Sequence, residues 1–176
     1  MNKKKIALII ILSSIILTLG YFCFKIYIKV NKNNLIKEQI SQIPKFNFTT
    51  LDGKNYRNAD LPINQNILFV SFNPDCEYCV IEGKEFSTKA KYFSDTQIYF
   101  ISSAEKIEIE KFQKEQNLVE LKNIHFLMDK RGEIYKNFNM KSIPYMVLYS
   151  KNHKLINEYK GAINIDLILK QLKIEN

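Results

Sequence analysis

Phe69-Val70-Ser71-Phe72-Asn73-Pro74-Asp75-Cys76-Glu77-Tyr78-Cys79 decides how this chain is read, because an apolar run of strand character ends there in a Cys-x-x-Cys pair. Two thiols one helical turn apart can lie on one side of a helix start and open and close a small-loop disulfide. Unpaired backbone N–H groups and the helix dipole at that end favour the thiolate that does the chemistry. Half of a zinc site and a chance pair are the competing readings, and Cys-x-x-Cys alone does not separate them. Three cysteines, Cys23, Cys76 and Cys79, are too few for a disulfide framework and leave one unpaired. A tetrahedral zinc site would have to draw on His125 or His153, and neither has a second His or Cys at ligand spacing. No metal and no other cofactor is expected.

Outward from this stretch the chain alternates strands and helices. Ile67 to Phe72 is a continuous apolar strand of the kind buried on both faces. Glu77 to Phe93 reads as a helix with Cys79, Phe86, Ala90 and Phe93 on one face, and Gln97 to Ser102 as a second buried strand. Lys106 to Gln116 is a charged helix carrying Ile107, Ile109 and Phe112, and Ile124 to Met128 a third strand closed by the turn Asp129-Lys130-Arg131-Gly132. Ile134, Tyr135 and Phe138 fall on a short helix. Tyr145 to Tyr149 and Leu155 to Tyr159 form a hairpin, and Ile163 to Leu172 a closing amphipathic helix. Upstream, Phe46, Phe48, Leu51, Asp52-Gly53 and Tyr56 read as an N-terminal β-hairpin, since Asp-Gly supplies the positive φ a tight turn needs.

The N-terminal part is of another kind. Ile6 to Phe24 is an uncharged apolar run of 19 residues, flanked by Lys3-Lys4-Lys5 and by Lys25 and Lys29. About 20 such residues span a bilayer as a helix. Large residues (Tyr21, Phe22, Phe24, Ile26, Tyr27, Ile28) stand where a cleavage site would want small ones, so an uncleaved anchor is favoured over a signal peptide. Tyr21-Phe22 before Cys23 likewise argues against a lipidated cysteine. Val30 to Ile43 reads as a polar spacer, helical in part and ended by Pro44. The expected organisation is a membrane anchor over residues 1–29, a linker over 30–44 and one α/β domain over 45–176. The formal net charge of +8 follows this division. Residues 1–44 carry seven lysines against Glu38, which leaves only +2 for the rest. The basic excess therefore points to a membrane surface, reached through residues 6–28, and not to nucleic acid. The compact lysine cluster at the terminus places the N-terminus in the cytoplasm and the body outside.

A strand running into Cys-x-x-Cys at a helix start, then a β-α-β alternation, then Ser142-Ile143-Pro144 before an apolar hairpin strand, resembles the thioredoxin fold over most of residues 45–176. The implied fold class is α/β, a central mixed sheet flanked by helices with an N-terminal β-hairpin, preceded here by one transmembrane helix. In such proteins the proline matching Pro144 is cis and lies against the redox pair, and the backbone beside it pairs with substrate like an added strand. Closer still is the resemblance to membrane-anchored, extracytoplasmic thiol-disulfide oxidoreductases of the TlpA/ResA type. The ResA-like members read Cys-Glu-x-Cys with a glutamate three residues on, matched by Cys76-Glu77-Tyr78-Cys79 and Glu82. The chain departs from the pattern in having no tryptophan, Asp75 before the first cysteine, Tyr78 in place of proline, and Val70 where many thioredoxins bury an acid. The peroxiredoxin motif Pro-x-x-x-Thr-x-x-Cys is absent.

These residues define expected roles. Cys76, nearer the helix start, is the attacking thiolate and Cys79 resolves the mixed disulfide. Glu82 manages protons for the thiols; the competing reading is an exposed helix-face charge paired with Lys89 or a loop lysine. Tyr78, Ile143 and Pro144 are the expected substrate-facing residues. Asp75, Glu77 and Glu82 carry negative charge, with no Lys, Arg or His between Asn73 and Gly83, and so work against the thiolate. A less stabilised thiolate makes a weaker oxidant, which predicts reduction of protein disulfides, with a membrane electron donor restoring the dithiol. The alternatives are a peptide-binding or chaperone-like module with incidental redox activity, and a structural zinc module.

Overall fold

The structure, a computed structural model, describes residues 3–175, with side chains placed for residues 11–173. The Lys3-Lys4-Lys5 side chains expected to flank the membrane span therefore lie outside the described residues. Two compact units are present, residues 1–38 and residues 39–176. The first is α1 (Lys3–Gln39), which runs without interruption through the apolar stretch and the polar segment after it. Over Ile11–Gln39 it is apolar enough to cross a membrane, with a mean hydropathy of 1.8 in its most apolar window. An N-terminal signal sequence passes the same test. The helix stops before Ser41, five residues short of Pro44. Ile40 is already fully buried in the second unit, and the Ser41 carbonyl accepts the Leu155 N–H at 2.9 Å. Burial of Ile40 and this strand-like bond end the helix; the proline does not.

The second unit is a seven-stranded mixed sheet in the order β2-β1-β5-β4-β3-β6-β7. Its strands are β1 (Asn47–Thr50), β2 (Asn55–Arg57), β3 (Asn66–Ser71), β4 (Thr96–Ser102), β5 (Ile124–Met128), β6 (Tyr145–Tyr149) and β7 (Leu155–Lys160). β3, β4 and β5 are parallel neighbours, while β6 joins β3 antiparallel. Every residue of β3 and β6 is buried, as expected for central strands covered on both faces. The N-terminal hairpin of β1 and β2 adds to the far edge through β1 against β5.

Strand alternation divides the core in two. Leu68, Val70 and Phe72 point to one face, where α2 (Glu77–Lys89), α3 (Lys106–Glu115) and α5 (Asp166–Glu175) contribute Cys79, Phe86, Phe112 and Ile168. Ile67 and Phe69 point to the other, against Phe46, Phe48 and α4 (Glu133–Asn137) with Ile134 and Phe138. The helix periodicities hold for Cys79, Phe86, Ala90 and Phe93, although α2 tightens to a 3₁₀ turn over Ala90–Phe93. Ile107 and Tyr135 differ from expectation: Ile107 is 75% exposed and Tyr135 half exposed, because the neighbouring positions Ile109, Phe112, Ile134 and Phe138 fill the buried stripe. α5 begins three residues later than expected, because the amides of Ile163 and Ile165 are engaged by side chains of α2.

Candidate active site

The path from β3 into α2 is set by Asn73. Its side-chain Oδ1 accepts the Asp75 N–H at 2.8 Å and its carbonyl accepts the Cys76 N–H at 3.0 Å, a tight turn that Asn-Pro favours. The turn delivers Cys76 as the N-cap of α2, in extended backbone conformation, with its carbonyl taking the first helical bond from Val80. The Cys76 sulfur thus stands at the end of the helix where backbone N–H groups lack helical partners. Cys76 is half-buried and Cys79, one turn further, is 2% exposed; both thiols are free. Burial pushes the Cys79 thiol well above its ordinary range, and its hydrogen bond to Cys76 adds to the effect against a backbone contact from Asn73. Cys79 is therefore a protonated thiol poised beside Cys76.

Glu82 follows one turn after Cys79 and is 2% exposed. Its Oε1 accepts the Ile163 N–H at 3.0 Å from the loop between β7 and α5, while its Oε2 is buried without a hydrogen-bond partner. Burial raises its carboxyl to about 7, against the opposing effect of the Ile163 bond. Its charge is also one of the influences that hold the Cys79 proton in place. Lys89 pairs instead with Asp166 at 2.8 Å and Glu85 at 3.5 Å, so the exposed Glu82–Lys89 pair does not form. Near neutral pH Glu82 carries only part of a charge, so the negative surroundings of the thiols reduce mainly to exposed Asp75 and Glu77. Val70, where an acid was noted as missing, is buried in the same cluster as Cys79. The buried acid comes from the helix instead of the strand.

Register brings the distant proline to this point. Tyr145 pairs with Ser71, so Pro144 enters the sheet beside the last residue of β3 and the redox turn. The Ile143–Pro144 peptide is cis, Pro144 is buried with its carbonyl accepting the Gly161 N–H at 3.0 Å, and Ile143 is partly exposed. Tyr78 is 60% exposed on the outer side of α2. Two contributors escaped the sequence reading. Asn73 was legible as a turn former before proline, whereas the Ile163 amide on Glu82 has no sequence signal, since it joins residues 81 apart.

The AhpC/TSA family profile matches residues 40–161. No curated protein sequence matches the chain. Among solved structures, a secreted Mycobacterium tuberculosis disulfide oxidoreductase homologous to Escherichia coli DsbE is 22% identical, covering 78% of this chain and 98% of its own at a TM-score of 0.62. StoA from Bacillus subtilis is 15% identical over 75% of this chain and 98% of its own, with a TM-score of 0.59. A thioredoxin-family thiol:disulfide interchange protein from Chlorobium tepidum is 17% identical over 76% and 94%, with a TM-score of 0.63. At these identities the likeness carries the fold, which is thioredoxin-like. With the profile spanning most of the folded unit, the chain belongs to the AhpC/TSA family.

Proposed function

We propose that the protein reduces disulfides of other proteins, with Cys76 as nucleophile, Cys79 as resolving thiol and Glu82 as proton acceptor. The observation that carries this reading is the half-satisfied, buried Glu82 carboxylate one turn from a buried, protonated Cys79. In the reaction the Cys76 thiolate attacks one sulfur of the substrate disulfide, forming a Cys76–substrate disulfide and expelling the other sulfur, which takes a proton. Cys79 loses its proton and attacks the Cys76 sulfur, closing the Cys76–Cys79 disulfide and releasing the second substrate thiol. Two electrons pass from the dithiol to the substrate, and a dithiol or equivalent donor must return them. Cys79 cannot act while protonated, and a carboxylate tuned near neutrality matches what a general base for that proton requires. Asp75 and Glu77 are exposed on either side of Cys76, with no Lys, Arg or His between Asn73 and Gly83.

The expected substrate contacts are Ile143 and Pro144 through an added backbone strand, with Tyr78 presenting an exposed ring beside the thiols. α1 serves as an uncleaved anchor in the bacterial cytoplasmic membrane, with the domain on the extracytoplasmic side and the electron donor in the membrane. The flanking Lys25 and Lys29 and the length of the apolar helix support this arrangement.

Insulin reduction by the full chain in detergent micelles tests the activity. Turnover is expected for the wild type and none for Cys76→Ser. Equilibration with glutathione should give a potential between about −270 and −200 mV; a value near about −120 mV overturns the reducing assignment. Labelling of Cys76 in intact cells by a membrane-impermeant maleimide tests the topology, and protection of the thiol argues against an outward-facing domain.

A further inference from the structure

A second feature adjoins the redox turn on the opposite face of the sheet from Cys79 and Glu82. A pocket of about 180 Å³ opens at the carboxyl ends of the parallel strands β3, β4 and β5, between Asn73 of the redox turn and Ile143 before the cis-proline. Crevices at the carboxyl ends of parallel strands are where open α/β sheets place ligands. This one is smaller than the roughly 300 Å³ from which small-molecule sites begin, so it suits one side chain and not a cofactor.

Its walls are mixed. Ile101, Ile134 and Ile143 supply apolar surface, and Ser71 and Ser103 supply hydroxyls. Each of these hydroxyls can donate one hydrogen bond and accept others. The carboxylate of Asp129 also borders the pocket, and none of the lining residues is a Lys, Arg or His among those described. An acidic group entering here would face a carboxylate without any compensating cation, whereas a neutral polar tip finds both donors and acceptors.

We propose that this pocket is the subsite for the substrate residue flanking the cysteine under attack, and that it selects a neutral side chain with an apolar stem and a hydrogen-bonding tip, of which Gln is the test case. The inference rests on the redox reading above. It is carried by continuity: the two segments bounding the pocket are the turn that presents Cys76 and the residue before Pro144, so a chain lying across the sulfur passes its mouth. Ser103 is exposed and Tyr135 is half exposed at the rim, so both can be changed without entering the core.

Single-turnover reaction of the reduced full chain in detergent with short peptides bearing one cysteine as a mixed disulfide with 2-mercaptoethanol tests the proposal. The residue before the cysteine is Gln, Gly or Glu in one series, and the residue after it in another. In one of the two series Gln should react about fivefold faster than Gly, the worth of one good hydrogen bond, and Glu slower than both. Ser103→Trp, which fills the pocket, and Tyr135→Ala, which removes part of its rim, should each bring the Gln-to-Gly ratio toward one. A ratio near one in wild type in both series, or a ratio that survives in whichever variant still reacts with 2-hydroxyethyl disulfide, overturns the subsite alone. Failure of the wild type to form a mixed disulfide with any peptide overturns the redox reading beneath it.

Discussion

Two buried carboxylates, Asp129 ahead of α4 and Glu82 within α2, lie on helices packed against opposite faces of the sheet and meet different fates. Asp129 is 3% exposed and both of its oxygens are satisfied, Oδ1 by the Glu133 N–H at 2.9 Å and Oδ2 by the Ile134 N–H at 2.8 Å. It binds the start of α4 to the end of β5. Glu82 is equally buried, yet only one of its oxygens has a partner. A buried acid whose oxygens are both committed to backbone amides fixes a fold, whereas one left half-satisfied is expensive to ionise and holds its proton more tightly than a free carboxyl. The contrast separates a scaffold carboxylate from one that can take part in chemistry.

The largest effect expected from breaking this comparison is at Asp129. Asp129→Ala orphans two amides at the start of α4 and should cost about 3 kcal/mol of unfolding free energy, read from denaturant titration of the full chain in micelles. A loss below about 1 kcal/mol would mean that water replaces the carboxylate and that the site is not structural.

Glu82 should behave in the opposite sense, through pH. Its carboxyl is raised from 4.5 to about 7, so the folded state holds the proton more tightly than the unfolded chain. Its ionisation therefore costs no stability below pH 4.5, and stability falls as pH rises through 7, by about 3 kcal/mol in full. Glu82→Gln removes the ionisation and should flatten the unfolding free energy between pH 4.5 and 8, while slowing closure of the Cys76–Cys79 disulfide. An unchanged pH slope in Glu82→Gln would assign the titration to another group.

A smaller effect is expected next to it. A Cβ on Gly83 would lie 2.8 Å from the Phe112 ring and 3.1 Å from Gln116 Cγ, so α2 rests on α3 without room for a methyl group. Gly83→Ala should destabilise by about 1–2 kcal/mol. By lifting α2 from α3 it should also loosen the burial of Glu82, moving the midpoint of the pH dependence downward. A variant as stable as wild type, with an unmoved midpoint, would show that α2 shifts freely and that Glu82 does not depend on this contact.

Much of the fold was legible in residue order, because strands buried on both faces and helices with one apolar stripe leave periodic marks. β3, β6 and the face formed by Cys79, Phe86, Ala90 and Phe93 emerged where the apolar pattern placed them. Element ends were less legible. α1 stops where Ile40 becomes buried and α5 starts late because α2 side chains hold the preceding loop, and both causes come from residues distant in the chain. Ile107 and Tyr135, apolar and at plausible spacing, remain outside because nearer neighbours already fill the stripe.

The sequence by itself determined that a thiol pair heads a helix after a buried strand, that an Ile-Pro step precedes another buried strand, and that an apolar helix of membrane-spanning length stands in front. These are local patterns, written in spacing and composition. Only the tertiary structure decided that Glu82 is buried and short of a partner, that Pro144 stands beside the end of β3, and that a pocket of mixed lining opens between Asn73 and Ile143 on the far face. Burial and strand register join residues many tens of positions apart, and the charge state of a carboxyl follows from what surrounds it in space rather than along the chain.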